Sequence, residues 1–350
     1  MSAVITSSQA APRAARSQGV WAAAAQRFRR DRVGMVCLAI VAVFLLMVMA
    51  AGLGLVAADW QKEKGVPNAP PTFMGPRAER PVVQIEQPTG PNVDISDIDP
   101  LAPRYDEWAA AAKKYETAEV VKAETLPFGA DRLGRDVLAK AIKGAEISIF
   151  VGVSAAALAT LIGTLLGAIG GFFGGKTGDL LEWIYNVFTA IPGILLIFAF
   201  AAVFGRGITS VVLILGLAGW TGIYRLVRAE FMKHAVRDYV RSAEAIGAGT
   251  GSRMFRHILP NVSHVVLVQL SIYVVGFIKS EVILSYLGLG VGVDQVSWGT
   301  MLAEAQSELI LGHWWQLAAA TLFMAVFVTA FSLMTDALRD ALDPKLRGAQ

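Results

Sequence analysis

The chain has 350 residues, of which 55% are hydrophobic and 17% are charged, with a formal net charge of +3. Soluble domains carry about 25% charged residues, so this deficit indicates a membrane protein. The net charge is too small to indicate nucleic acid, and the single cysteine, Cys37, excludes an intramolecular disulfide.

The N-terminal part predicts a cytoplasmic tail and an anchor. Residues 1–32 are rich in Ala and Ser and end in basic residues, and the run 33–57 carries no charge. About 20 apolar residues cross a bilayer, so this run predicts the first transmembrane helix. It is longer than the apolar part of a cleavable signal, and we therefore expect it to be retained.

Residues 58–146 are hydrophilic and predict a periplasmic loop or subdomain, because long loops translocate largely regardless of charge. Within it, Tyr105–Glu116 has the spacing of an amphipathic helix, with Trp108 and Tyr115 seven residues apart. We interpret it either as a cap over a pore mouth or as a docking surface. The string Pro127–Leu138 predicts a structured turn that orients the next helix.

Five more apolar runs follow, at about 147–170, 180–204, 208–227, 264–288 and 315–338. They predict a five-helix core over 147–340 and a cytoplasmic tail at 341–350. The fold class is therefore an all-α polytopic membrane protein with six transmembrane helices and both termini inside. The distribution of basic residues agrees with this topology, because the predicted cytoplasmic segment 225–256 is rich in Arg and Lys whereas the predicted external segment 282–313 has neither.

The string Gly170–Thr177 matches the phosphate-loop pattern G-x-x-x-x-G-K-[ST]. That pattern requires a preceding strand in an α/β sheet, and here an apolar helix precedes it, so we predict a tight helical hairpin instead. Gly163 and Gly167, four residues apart, are typical of close helix contact.

The segment 237–260 lies between two apolar runs and predicts a short helix ended by Gly247. Tyr239, Ala243 and Ile246 have the spacing of one helix face. Pro260 is expected to end the next helical turns, and Asn261 to cap the following span.

Lys279 and Glu281 are charges inside the fifth span, and such charges face protein or a cavity. They are candidates for the translocation path or its gate, or for buried interhelical hydrogen bonds. Lys279 could instead reach the outer interface. The four histidines share no metal-ligand spacing, and no nucleophile–base arrangement is present, so we predict no metal site and no catalytic residue.

The segment 225–262 resembles the coupling loop of ABC importer permeases, with Gly247, Leu259 and Pro260 in the family spacing. Arg241 and Ser242 replace the usual Glu and first Ala, and His257 takes an apolar position. The resemblance implies that an ATPase contacts this loop through Arg237, Asp238, Tyr239, Arg241, Ser242, Ala243, Glu244, Ile246, Gly247, Leu259 and Pro260.

Four further strings, in the same order, resemble the C-type permeases of dipeptide and oligopeptide importers: Pro127–Leu138, Ile142–Ser148, Glu281–Gly290 and Asp340–Arg347. The long segment 59–125 is also similar to the microcin C and oligopeptide branch. The resemblance implies a type I (MetI-like) transmembrane core in the bacterial inner membrane. It implies a second, B-type permease, two ABC ATPases that bind the ATP, a periplasmic solute-binding protein, peptide substrate and lipid.

The resulting hypothesis is a non-catalytic permease subunit, without a cofactor of its own, in an ATP-driven peptide importer. The alternative is a secondary transporter driven by an ion gradient through Glu281. That alternative predicts internal repeats with paired broken helices, and the sequence shows no such symmetry.

Overall fold

The computed structural model of the protein describes residues 20–76, 99–113, 122–292 and 294–342. These ranges are nearly all helical and hold isolated β-bridges but no strand, which confirms the all-α fold class. The chain divides into two compact units. We call the described residues within 1–58, 141–304 and 320–350 the membrane unit, and those within 59–140 and 305–319 the loop unit.

The N-terminal helices are α1 (Val20–Arg30) and α2 (Arg32–Gly52). Asp31 caps α2 by accepting hydrogen bonds from the amides of Val33 and Gly34, at 2.9 and 3.2 Å. The helix ends five residues before the predicted end at residue 57, because Gly54 takes a left-handed conformation (φ +72°). Its amide and that of Leu55 bond back to the last helical carbonyls, which terminates the helix although the sequence stays apolar. The 21 residues of α2 still span about 32 Å.

The second span is longer than predicted. Helix α3 (Tyr105–Lys113) lies in the loop unit, and α4 (Val137–Phe173) begins ten residues before the expected start at 147. Asp136 accepts a 2.9 Å hydrogen bond from the Leu138 amide and so caps α4. Because the first turns of α4 carry charged side chains, the hydropathy of the sequence does not reveal this start. Tyr115, expected on the α3 face, lies outside the described residues.

The predicted single span 180–204 is two helices, α5 (Gly175–Ala190) and α6 (Gly193–Phe204), bent by 91°. The break falls at Pro192, which has no N–H to donate and forces the preceding residue out of the helical region. Ile191 is accordingly extended, with φ −91° and ψ 129°. Gly174 (φ +59°) is the turn between α4 and α5, which confirms the helical hairpin expected at the phosphate-loop-like string.

The remaining helices are α7 (Ile208–Ala235), α8 (Asp238–Ala245), the single turn α9 (Thr250–Ser252), α10 (Leu259–Tyr286), α11 (Trp298–Ile310) and α12 (Trp315–Leu342). A π-helical turn, Arg253–Ile258, joins α9 to α10. The described residues contain five helices long and apolar enough to cross a membrane, or six crossings if the bent pair α5–α6 is one span. Helix α11 was not predicted.

Three glycines on one face of α4 form a seam with α7. A Cβ atom at Gly163, Gly167 or Gly171 would lie 2.6, 2.8 or 2.5 Å from the carbonyl oxygens of Trp220, Tyr224 and Arg228, respectively. The glycines and the carbonyls both recur every four residues, so the two helices run parallel in one register. Only glycine allows backbones this close, as the sequence predicted for Gly163 and Gly167.

Replacing Gly167 with Ala should destabilise the membrane unit by roughly 1–3 kcal/mol, because the added methyl meets backbone atoms that have nowhere to move. Gly276→Ala on α10 is the matched control, since a Cβ there has nothing within 4 Å and Ala favours a helix. Thermal unfolding of the two purified variants in detergent compares them. Equal midpoints would show that the seam is not tight.

The loop unit is organised around the buried carboxylate of Asp131. One carboxylate oxygen accepts hydrogen bonds from the amides of Leu133 and Arg135, both at 2.9 Å. The other accepts from Arg135 Nε at 2.7 Å and Lys140 Nζ at 2.8 Å. Burial alone would raise the Asp131 pKa, but the Lys140 ammonium and the groups of Arg135 hold that pKa below its ordinary value. The carboxylate is therefore charged at neutral pH.

Further hydrogen bonds tie the string Pro127–Leu138 to the other segment of the loop unit. Trp315 Nε1 donates to the Ala130 carbonyl at 2.7 Å, and the Arg132 amide donates to Glu308 Oε1 at 3.0 Å. Gly134 (φ +79°) lies so close to the Gly65 carbonyl that no side chain fits there. The string is thus a structured turn leading into α4, as the sequence indicated.

Asp131→Asn should destabilise the loop unit by roughly 3–5 kcal/mol at neutral pH, because it removes the carboxylate that lies 2.8 Å from the buried Lys140 ammonium. In the wild type, the charged Asp131 carboxylate contributes its full stabilisation above about pH 4. This contribution is lost as the pH falls through the lowered pKa of the folded state, so the stability difference between wild type and variant should vanish in strong acid. Thermal unfolding followed by tryptophan fluorescence, to which Trp315 contributes, measures it. Asp136→Asn, which keeps a good capping residue, should change little, and a similar loss in both variants would contradict the central role of Asp131.

Candidate functional site

Helix α8 is a short surface helix that ends in a Schellman motif, with Gly247 as its left-handed residue. The Ala248 amide donates to the Ala243 carbonyl and the Gly247 amide donates to the Glu244 carbonyl, both at 2.9 Å. Gly247 has φ +89°, the left-handed conformation that this ending requires. The predicted role of Gly247 as a helix stop is confirmed.

The two faces of α8 differ sharply in burial. Val240 and Ala243 point inward, and Val240 joins a core cluster with Ala168, Ile223, Val227, Phe231, Met254, Ile258 and Val262. Tyr239 is 38% exposed and Ile246 is 86% exposed. Tyr239 and Ala243 lie four residues apart within α8, as the predicted spacing requires, and the prediction of a shared helix face is wrong only for Ile246. Helix α8 ends at Ala245, so the helical spacing no longer applies at Ile246.

The second half of the segment continues into the membrane. The Leu259 amide donates to the Met254 carbonyl, a five-residue π-type hydrogen bond, and the helix runs on through Pro260 to Tyr286. The predictions that Pro260 ends a helix and that Asn261 caps the next are wrong. Asn261 Nδ2 instead donates to the His257 carbonyl at 2.7 Å, beside the position where the proline lacks an N–H.

An ion pair joins the two halves of the segment. Arg253 Nη1 lies 2.5 Å from Glu244 Oε1, and the Arg253 guanidinium also lies over the Phe172 ring, 5.4 Å from its centroid. Glu244, predicted as a docking residue, therefore also holds α8 to the π-helical turn. Of the other predicted residues, Leu259 packs against the core cluster, and those on the surface are Arg237, Asp238, Arg241, Ser242, Gly247 and Pro260.

Glu281, the other predicted site residue, is fully buried near the far end of α10. Its carboxylate accepts hydrogen bonds from Ser148 Oγ on α4 at 2.7 Å and from Ser285 Oγ at 2.6 Å. The structure thus supports the interhelical hydrogen-bonding interpretation of Glu281. Lys279 is exposed on the surface of this chain, so the two charges do not pair. Their roles in a translocation path stay a prediction.

The two serines extend the network to the segment after α10. The Trp298 amide donates to Ser148 Oγ at 3.2 Å, and the Val291 amide donates to Ser285 Oγ at 3.4 Å. Each serine hydroxyl therefore accepts a hydrogen bond from a backbone N–H and donates one to the carboxylate. Trp298 Nε1 also donates to the Ala141 carbonyl at 3.1 Å. One side chain, Glu281, anchors both ends of the segment 291–298.

The comparisons with known proteins agree with this architecture. Residues 163–348 match the family model described as binding-protein-dependent transport system inner membrane component, more than half of the chain. The chain belongs to this family. Residues 19–71 match the N-terminal transmembrane domain of oligopeptide transport permease C.

Named relatives point to the same family. An oligopeptide transport permease of Bacillus subtilis is 33% identical over 253 residues, covering 71% of this chain and 80% of the relative. A dipeptide transport permease of the same organism is 36% identical over 63% of this chain and 69% of the relative. A glutathione transport permease of Shigella flexneri is 40% identical over 63% of this chain and 73% of the relative. These findings give no support to a secondary transporter driven through Glu281.

Sequence reasoning missed the partners of Glu281 and the segment that it anchors. Ser148 and Ser285 are common residues that lie 133 and four positions from Glu281, and only the fold brings Ser148 close. The charged residue inside an apolar run was the available signal, since such a residue requires polar partners. Trp298 and α11 carried no comparable signal.

Glu281→Gln should loosen the segment 291–298, because the amide presents one acceptor oxygen and leaves one serine hydroxyl without its acceptor. The cost should be about 1–3 kcal/mol. Hydrogen–deuterium exchange of the amides of Val291 and Trp298 should become faster in this variant. Lys279→Gln, an exposed charge removal two residues away, is the control. Unchanged exchange in Glu281→Gln would show that the carboxylate does not hold the segment.

Proposed function

We propose that the protein is the C-type permease subunit of an ATP-driven importer of peptides in the bacterial inner membrane. In this proposal it forms the translocation path with a second permease, and two ATPase subunits supply the energy. A solute-binding protein delivers the substrate from outside. The protein itself carries out no catalysis.

The observation that carries the proposal is the two-sided structure of the segment 237–260. Its inner side chains, including Val240, Met254 and Ile258, belong to the same core cluster as residues of α4, α7 and α10. Its outer side includes large apolar residues exposed to solvent, Ile246 at 86% and Phe255 at 46%. A partner that covers the outer side and moves would therefore displace three membrane helices, which is what an energy-coupling element requires.

Exposed apolar side chains beside basic ones also suit a protein partner. Arg237, Arg241 and Arg256 are exposed around Tyr239 and Ile246. Interfaces are enriched in aromatic residues and Arg, and their central residues are apolar. Because the usual Glu of the family pattern is Arg241 here, we expect the matching surface of the ATPase to be acidic.

The orientation follows from the distribution of charge. The segment 225–256 is rich in Arg and Lys, and 282–313 contains neither. Short cytoplasmic loops carry an excess of basic residues, so this distribution supports cytosolic termini and a cytosolic segment 237–260. The loop unit then lies on the periplasmic side, where a binding protein could reach it.

Peptide cargo is supported by the relatives, whose names specify oligopeptides, dipeptides and glutathione. All three are peptides, although they differ in length. The shared feature is a substrate with a peptide backbone and a terminal carboxylate, and we propose this class for the present chain.

Ile246→Asp should abolish substrate-stimulated ATP hydrolysis in the reconstituted importer. The side chain is almost fully exposed, so the change should leave folding intact while placing an unpaired charge in the docking surface. Gln26→Asp on α1, also exposed, is the control for an added acidic residue. Wild-type stimulation in Ile246→Asp would exclude this surface as the coupling contact, whereas loss of membrane insertion in both variants would indicate a folding defect.

A further inference from the structure

A cleft opens between three membrane helices at the end of the membrane unit that carries the segment 237–260. It has a volume of about 360 Å³, and its lining residues are Leu226, His264, Val265, Val268, Gln269, Ile272, Arg339 and Leu342. They belong to α7, α10 and α12. Helix α10 begins at Leu259, five residues before His264, and Arg339 lies in the last turn of α12. The cleft is therefore near the membrane–water boundary.

The lining combines an apolar wall with cationic and hydrogen-bonding groups. Valine, leucine and isoleucine side chains make up most of the lining, and its polar members are His264, Gln269 and Arg339. Arg339 makes no ion pair with any residue in the part of the chain that the structure describes, and its acidic neighbours Asp336 and Asp340 are exposed and do not line the cleft. Among the described residues, no carboxylate therefore competes with an external anion for Arg339.

The shape and charge together select one class of ligand. The apolar wall requires a hydrocarbon chain, and the guanidinium favours a phosphate oxygen pair. Ile272, which lines the cleft, is 42% exposed, so part of the apolar lining is open to the outside. Basic pockets between membrane helices near the headgroup level are typical sites for anionic phospholipids.

We propose that this cleft binds one anionic phospholipid, with its phosphate at Arg339 and His264 and an acyl chain along Val265, Val268 and Ile272. Because the ligand contacts α7, α10 and α12 at once, it joins the two helices that flank the segment 237–260 to α12. The site is distinct from the coupling surface and from the Glu281 network, and lipid binding there does not depend on transport.

The test uses the full-length chain together with the subunits that co-purify with it, in nanodiscs that contain phosphatidylglycerol and phosphatidylcholine. Mass spectrometry of the retained lipid should show enrichment of phosphatidylglycerol for the wild type. Arg339→Gln should reduce that enrichment about fivefold, the effect of about 1 kcal/mol for one basic residue at an anionic surface. Arg339→Lys should retain most of it. Arg29→Gln, an equal charge change at an exposed position of α1, should leave it unchanged.

A photo-crosslinker at Val268 separates the possible occupants of the cleft. Capture of phosphatidylglycerol supports the proposal, whereas capture of another subunit or of a peptide substrate overturns it. Equal retention of the two lipids by the wild type, or equal enrichment in Arg339→Gln and wild type, would also overturn it. Coupled ATP hydrolysis in Arg339→Gln is measured in parallel, so failure of the lipid site is distinguishable from failure of the proposed transport function.

Discussion

Helices α4 and α7 lie so close that an added methyl group would not fit between them at three successive turns of α4. Within a bilayer there is no hydrophobic driving force between helices, and association depends on close contact and on hydrogen bonds. The seam at Gly163, Gly167 and Gly171 supplies that contact. It fixes the register of two parallel helices that the bent pair α5–α6 separates in sequence. The two helices therefore pack backbone against backbone along this face.

Two core clusters are built on this α4–α7 pair. The first includes Ala168 and Val227 and receives Val240 of α8 together with Met254 and Ile258 of the π-helical turn. The second includes Val151 and Leu215 and receives Leu284 and Val291. Close-packed interiors transmit displacement because they are not continuously deformable. A force on the segment 237–260 thus acts on the same two helices that hold the segment after α10.

Much of the fold was predictable from the sequence because continuous apolar runs of about 20 residues cross a bilayer as helices. The places where prediction was wrong have local causes. Gly54 ended α2 inside an apolar run, and Pro192 broke a run that composition made look continuous. Pro260 was expected to end a helix, yet the π-helical turn before it lets the helix continue. In each of these three places, backbone geometry determined whether the helix ends or continues, and composition does not reveal backbone geometry.

The site was predictable only in part. Family spacing identified Gly247, whose left-handed conformation the structure confirms. Spacing could not determine which face of α8 is buried, because that depends on Ala168 and Ile223, residues far away in sequence. The same limit applies to Glu281, which the sequence marked as unusual without giving its partners. Contacts between distant residues are fixed by the fold and leave no short-range pattern.

The two buried carboxylates show how the chain meets one physical requirement in two ways. A buried charge is costly unless it is paired or fully hydrogen-bonded. Asp131 of the loop unit has two cations, Arg135 and Lys140, at 2.7 and 2.8 Å. Glu281 of the membrane unit has serine hydroxyls instead, and these hydroxyls are themselves oriented by backbone amides. The two ion pairs hold a turn of the loop unit, and the hydroxyl network joins α4 and α10 to both ends of the segment 291–298.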